Sequence, residues 1–202
     1  MMQTMQKVFT DVAKEKVSET GNKIPDFSKT NGSSTLESKI PTFNLTAKEI
    51  NNNPELQESE KNKIEGKSEY SESINESISS VAELDIYQDV PLVENTVNDN
   101  PALCRDDIDL GKTDDMGQTN LERMEKGKPP VAQDGKPIEL HHVGQDADSP
   151  LAELSQKEHR GEGNNTILHD GTQESKIDRV AFQKEKSDHW KARAEQLKTE
   201  SV

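Results

Sequence analysis

The stretch Val131-Ala132-Gln133-Asp134-Gly135-Lys136-Pro137-Ile138-Glu139-Leu140-His141-His142 decides how the chain is read. Asp-Gly supplies the positive φ angles of a tight primed turn, so the apolar segments around it predict a hairpin of residues 131–133 against 136–140. The histidine pair then stands at the exit of the second strand. Successive side chains on a strand point to opposite faces, so one imidazole can hold a cation while its neighbour faces a water to be activated.

Downstream, the loop 143–150 leads to the apolar run Leu151-Ala152-Glu153-Leu154 and then to Ser155-Gln156-Lys157-Glu158. That tetrad is a capping box, a Ser/Thr followed three residues later by Glu, and it predicts a helix with His159 near its first turn. Gly161 and Gly163 end this helix, Asn164-Asn165 begin another turn, and Ile167-Leu168-His169 is a short apolar step before Asp170-Gly171 turns the chain. From Ser175 to about Lys198 the sequence reads as one long helix, capped by Ser175 with Asp178 three residues on. Ile177, Ala181, Trp190, Ala194 and Leu197 fit one face of it. Upstream, Thr119-Asn120-Leu121-Glu122 is a further capping box, predicting a short helix over 120–126 with Leu121 and Met124 toward the core.

A strand, a histidine pair, a loop, a helix bearing His159 and a further histidine at His169 make the minimal layout of a ββα metal site. A divalent cation held by imidazoles polarises a scissile phosphate and stabilises the leaving oxygen, while a non-ligand imidazole takes a proton from water. Near neutral pH no other side chain suits that transfer so well without a large pKa shift. All five histidines, His141, His142, His159, His169 and His189, lie in the second half. His189, beside Trp190 on the long helix, reads as a packing or surface residue.

Composition limits the alternatives. Of 202 residues, 29% are hydrophobic and 3% aromatic, which leaves about half of the chain able to pack well. The net charge of −14 argues against broad nucleic-acid affinity, which phosphate contacts largely supply. Every arginine lies at or after Arg105, however, and arginine is the better bidentate phosphate ligand; Arg123, Arg160 and Arg179 are the candidates. Cys104 is the only cysteine, which excludes an internal disulfide and a thiolate zinc knuckle. No apolar run is long enough to span a bilayer, and the first residues lack the apolar core of a cleaved signal, so neither membrane insertion nor a signal peptide is expected.

The first half reads differently. Residues 3–19 place Met5, Val8, Phe9 and Val12 at helical spacing. Residues 22–80 are rich in Ser, Asn, Glu, Lys and Thr with isolated apolar side chains, the signature of a largely disordered or loosely helical linker. Local helix starts stand at Thr46-Ala47-Lys48-Glu49 and Asn53-Pro54. Apolar density rises over 81–93, where an edge strand or a docking junction is expected. The expectation is therefore α+β: a mostly disordered acidic leader over 1–100, a boundary near 98–104, and a small ββα-metal domain with a long C-terminal helix over 101–198.

Thr119-Asn120-Leu121-Glu122-Arg123-Met124, Gly127, Pro130, Asp134-Gly135-Lys136-Pro137-Ile138, Leu140-His141-His142, Gln145, Leu154, His159 and Leu168-His169 together resemble the LHH family. That family is a branch of the HNH/endonuclease VII superfamily of treble-clef nucleases, found as C-terminal toxin modules of bacterial polymorphic toxins. The resemblance covers roughly residues 101–197. It implies a DNA endonuclease with one divalent cation (Mg, Zn, Ni or Mn), in which His141, His159 and His169 are metal ligands and His142 is the general base. Asn164, Asn165 and Glu158 are further candidates as ligands or as partners of the ligands. It also implies a cognate immunity protein and delivery of the toxin into the cytoplasm of a target bacterium. The alternative is a non-enzymatic interaction protein whose histidines bind a structural metal.

Overall fold

The computed structural model describes residues 54–169, 171 and 177–200, all within one compact unit. Four strands make one sheet: β1 (Leu92–Val97), β2 (Asn100–Arg105), β3 (Glu139–His142) and β4 (Leu151–Leu154), in the order β1-β2-β4-β3. β1 and β2 form an antiparallel hairpin whose turn residues, Asn98 and Asp99, both take positive φ. Asn and Asp tolerate that conformation better than other side chains. β2 runs parallel to β4 through Ala102↔Leu151 and Leu103↔Ala152. β4 is antiparallel to β3, with His141 opposite Ala152 and His142 opposite Leu151.

This register corrects the expected hairpin. Residues 131–137 form a tight turn closed by a single bridge, Val131↔Pro137, with Gly135 at φ 79°. The longer hairpin is β3–β4, and the histidine pair is the last two residues of its first strand. All four residues of β4 are buried. A strand covered on both faces reads as a continuous apolar run without alternation, so its sequence did not disclose a strand.

Seven helices surround the sheet among the described residues: α1 (Pro54–Lys67), α2 (Glu72–Ser77), α3 (Val81–Gln88), α4 (Asn120–Glu125), α5 (Gln156–Arg160), α6 (Asn164–Leu168) and α7 (Arg179–Glu200). The capping boxes of α4 and α5 are both complete, Thr119 with Glu122 and Ser155 with Glu158. α7 starts where Asp178 accepts the backbone N–H groups of Val180 and Ala181. The chain order β3, β4, α5 is thus the strand-strand-helix unit, with a small sheet and a long C-terminal helix as expected.

On one side of the sheet, Ile64, Ile74, Ile78, Leu84 and Tyr87 pack with Leu103, Val143, Ala152, Leu154 and Leu168. On the other, Met124, Ile138, Leu140, Leu151, Trp190 and Ala194 pack together. Each fully buried Leu or Ile contributes about 1.5–3 kcal/mol, so the side chains of α1–α3 supply a large part of the first cluster's stability. The packed unit therefore reaches back to Pro54, and the expected boundary near 98–104 falls inside the β1–β2 hairpin. Isolated apolar residues at 64, 74 and 78 show no period of their own; they are buried by partners distant in sequence. The expected edge strand or junction over 81–93 is helix α3 followed by the edge strand β1, with Ser80 Oγ accepting from Glu83 N–H at 3.1 Å as the helix cap.

The predicted helix at 3–19, the start at Thr46, the cap at Asn53, the turn residue Asp170 and the cap at Ser175 lie outside the described residues. No helix among the described residues is long and apolar enough to cross a membrane.

One link joins α2 and α3 to the end of β3. Glu83, buried on α3, accepts the Gly144 N–H at 2.8 Å, in the 3-10 turn Val143–Gln145 that follows His142. Gly144 has φ 66°, and a Cβ there would collide with the Ser77 carbonyl. Only glycine fits that turn.

Candidate metal centre

Strand alternation divides β3. Glu139 and His141 face α5 and α6; Leu140 and His142 face the long helix α7. His159 stands in the last turn of the short α5, and His169 is the C-terminal cap of α6.

These elements bring His141, His159 and His169 together, with one ring nitrogen from each inside a span of 4.8 Å. Ring centroids lie 4.9 Å apart for His141–His159 and His159–His169, and 5.2 Å apart for His141–His169. His141 and His159 are buried and His169 is half-buried.

The hydrogen bonds assign the nitrogens. His159 Nδ1 lies 2.7 Å from Glu139 Oε2, so the carboxylate accepts from Nδ1–H and leaves Nε2 with its lone pair. His169 Nδ1 donates to the Asn165 carbonyl at 3.1 Å, again leaving Nε2. His141 Nδ1 is 3.1 Å from His159 Nε2, and His141 Nε2 is buried with no hydrogen-bond partner. A buried polar nitrogen left unpaired costs about 1–3 kcal/mol, which a bound cation on this group would recover.

Electrostatics favours the metal-ready form. Burial first, and then the imidazoles of His159, His169 and His142, push the His141 pKa well below the ordinary histidine value. Burial also lowers that of His159, against the opposing pull of Glu139. Burial works against charge on Glu139, but hydrogen bonds from Arg160 and His159 outweigh it and hold the carboxyl below its usual range. Two neutral imidazoles backed by a carboxylate are the donor set a divalent transition ion takes. The residues fit such an ion.

His142 faces the other way. Its side chain is buried, its ring centroid lies 4.4 Å from that of Phe182, and Nε2 is 3.1 Å from Glu185 Oε2; Phe182 and Glu185 both belong to α7. His189 is a packing residue, as one of its two readings held: it is buried edge-on to Trp190, with Nε2 2.7 Å from Glu153 Oε1. Arg193 donates to the same Glu153 oxygen at 2.9 Å.

The remaining candidates fall outside the histidine group. Glu158 closes the α5 capping box and pairs with Arg105 at 2.5 Å. Asn164 Nδ2 donates to the Glu158 carbonyl, and Asn165 contributes only its backbone carbonyl to His169. Arg123 pairs with Asp114 and donates to the Pro129 carbonyl, whereas Arg179 is exposed at the start of α7. Arg160 reaches Glu139 Oε2 at 2.8 Å with its side chain 61% exposed, the one arginine whose bond leads directly to the histidine group.

Reading the sequence missed Glu139, Phe182 and Glu185. Glu139 was within reach, because a residue two before His141 on a strand shares its face. Nothing local marks Phe182 or Glu185, whose roles depend on how α7 crosses the sheet.

A strand-strand-helix unit with three converging imidazoles defines the class: an α+β domain with the capacity to hold one metal ion. Residues 119–196 match the family model LHH, a nuclease of the HNH/ENDO VII superfamily with conserved LHH, and Leu140-His141-His142 lies inside the match. Residues 119–196 are therefore similar to LHH nuclease domains, and the activity this similarity implies is hydrolysis of nucleic acid. No solved structure matches the chain.

Proposed function

We propose that the chain is a metal-dependent endonuclease that hydrolyses DNA phosphodiester bonds and serves as an antibacterial toxin module. The observation that carries the catalytic part is the convergence of His141, His159 and His169 within the segment that matches LHH. These three side chains hold the divalent ion. The bound cation supplies positive charge for the scissile phosphate and the leaving oxygen. His142, one residue along the strand, accepts the proton of the attacking water. Arg160, anchored on Glu139 and open to solvent, contacts the phosphate backbone. The toxin role, delivery into the target cytoplasm and a cognate immunity protein rest on the resemblance to polymorphic-toxin modules.

The test uses the full chain with supercoiled plasmid and, in parallel, a structured RNA, across a panel of divalent ions. Nicking of plasmid that stops in His141→Ala and in His142→Ala is the expected result. Cleavage of RNA alone would move the substrate class, and no cleavage with any ion would sink the enzymatic reading in favour of a structural metal. Expression in bacteria without an inhibitor should be toxic for the wild type and harmless for His142→Ala; harmless wild-type expression would remove the toxin role.

A further inference from the structure

Beside Trp190 and Ala194, which pack on Leu140 and Leu151, four residues of α7 meet polar groups of the sheet: Phe182, Glu185, His189 and Arg193, at spacings of three, four and four. Two successive pairs of them meet two successive positions on the sheet. His189 and Arg193 close on the buried carboxylate of Glu153, and Arg193 also donates to the Arg105 carbonyl at 3.0 Å. Glu185 and Phe182 meet His142. Leu151 pairs with His142 across the hairpin, and Glu153, two residues further along β4, shares the face of Leu151. The Glu153 contacts therefore pin α7 one helical turn beyond Glu185.

We propose that Glu185 is a positioning residue for His142. Its carboxylate oxygen accepts from Nε2–H, which fixes the imidazole as the tautomer with the lone pair on Nδ1. The Phe182 ring limits rotation of the His142 ring on one side. The proton of the attacking water then goes to Nδ1, and the imidazolium so formed keeps its Nε2–H bond to the carboxylate. The sheet-facing side of the long helix is thus part of the catalytic apparatus. The inference rests on the nuclease reading and assigns to it the orientation of its base.

Glu185 suits mutagenesis, because its side chain is 42% exposed and its removal leaves the Glu153 contacts in place. In the full chain, Glu185→Ala should lower kcat for plasmid nicking by about tenfold to a hundredfold with KM and the thermal midpoint unchanged. Glu185→Gln should recover much of the loss, since an amide oxygen still accepts from Nε2–H. Nitrogen-15 NMR of the histidine side chains should show the Nε2–H tautomer for His142 in the wild type and a mixture in Glu185→Ala. A kcat within twofold of wild type in Glu185→Ala, or a wild-type His142 protonated on Nδ1, overturns the proposal. An inactive wild type overturns the nuclease reading instead, and the tautomer measurement then still decides the pairing.

Discussion

Glu139 and His159 are joined at 2.7 Å across the gap between β3 and α5, and the same carboxylate oxygen also holds Arg160. One acidic side chain therefore orients an imidazole of the candidate metal centre and anchors an exposed cation. Replacing Glu139 with Gln keeps the size but removes the charge that strengthens the Nδ1–H bond. Metal affinity, measured by competition with a chromophoric chelator, should fall by about tenfold to a hundredfold while the fold is retained. Unchanged affinity would show that the carboxylate does not tune the site.

The lowered pKa values of His141 and His159 predict acid sensitivity of the metal-free protein. Above the ordinary value of 6.5 both imidazoles are neutral in the folded and unfolded chain, and this contribution to stability is fully present. As pH falls through 6.5, the unfolded chain takes up protons that the native one refuses. Stability is then lost by up to about 1.4 kcal/mol per pH unit per group until the lowered folded values are reached. In excess chelator, the thermal midpoint should drop as pH is lowered from about 7.5 to about 5, and His141→Asn should flatten the drop. A wild-type midpoint that is level over this range would contradict the burial argument.

The candidate site was more legible in the sequence than the fold around it. His141, His159 and His169 could be singled out because histidines are few and capping boxes marked where the helices begin. Alternation on a strand then separated His141 from His142, as the structure shows. What could not be read was the partner of each element. β4 is buried on both faces and lacks alternation, so the hairpin was placed one segment too early. Ile64, Ile74 and Ile78 lie in polar surroundings, and their burial depends on Leu103, Ala152 and Leu154, far along the chain. Glu185 meets His142 through a helix crossing that no local pattern encodes.

That buried cluster predicts how the chain can be cut. A fragment of residues 101–202 loses β1 and α1–α3, exposes Leu103, Leu154 and Leu168, and leaves Gly144 without Glu83. It should lack cooperative thermal unfolding. Within the full chain, Leu84→Ala should cost about 2–5 kcal/mol by chemical denaturation. A stably folded 101–202 fragment would refute this account of the core.

Gly144 offers a narrower check on the same contact. Alanine there meets both a positive φ and the Ser77 carbonyl, so Gly144→Ala should destabilise the protein by about 1–3 kcal/mol or more. Because the turn follows His142 directly, nicking activity should fall even at temperatures where the variant stays folded. Wild-type stability in this variant would mean that α2 does not sit against the turn.

The pairing of β4 between β2 and β3 sets the size of the unit that can be transplanted. The LHH match begins at Thr119, after β2 has ended, so a cassette trimmed to the family's own limits carries β4 with one flank bare. A bare flank in a hydrophobic strand invites strand addition from another molecule. Grafted onto a foreign carrier without its preceding hairpin, the domain should aggregate; the portable unit is longer than the signature by which it is recognised.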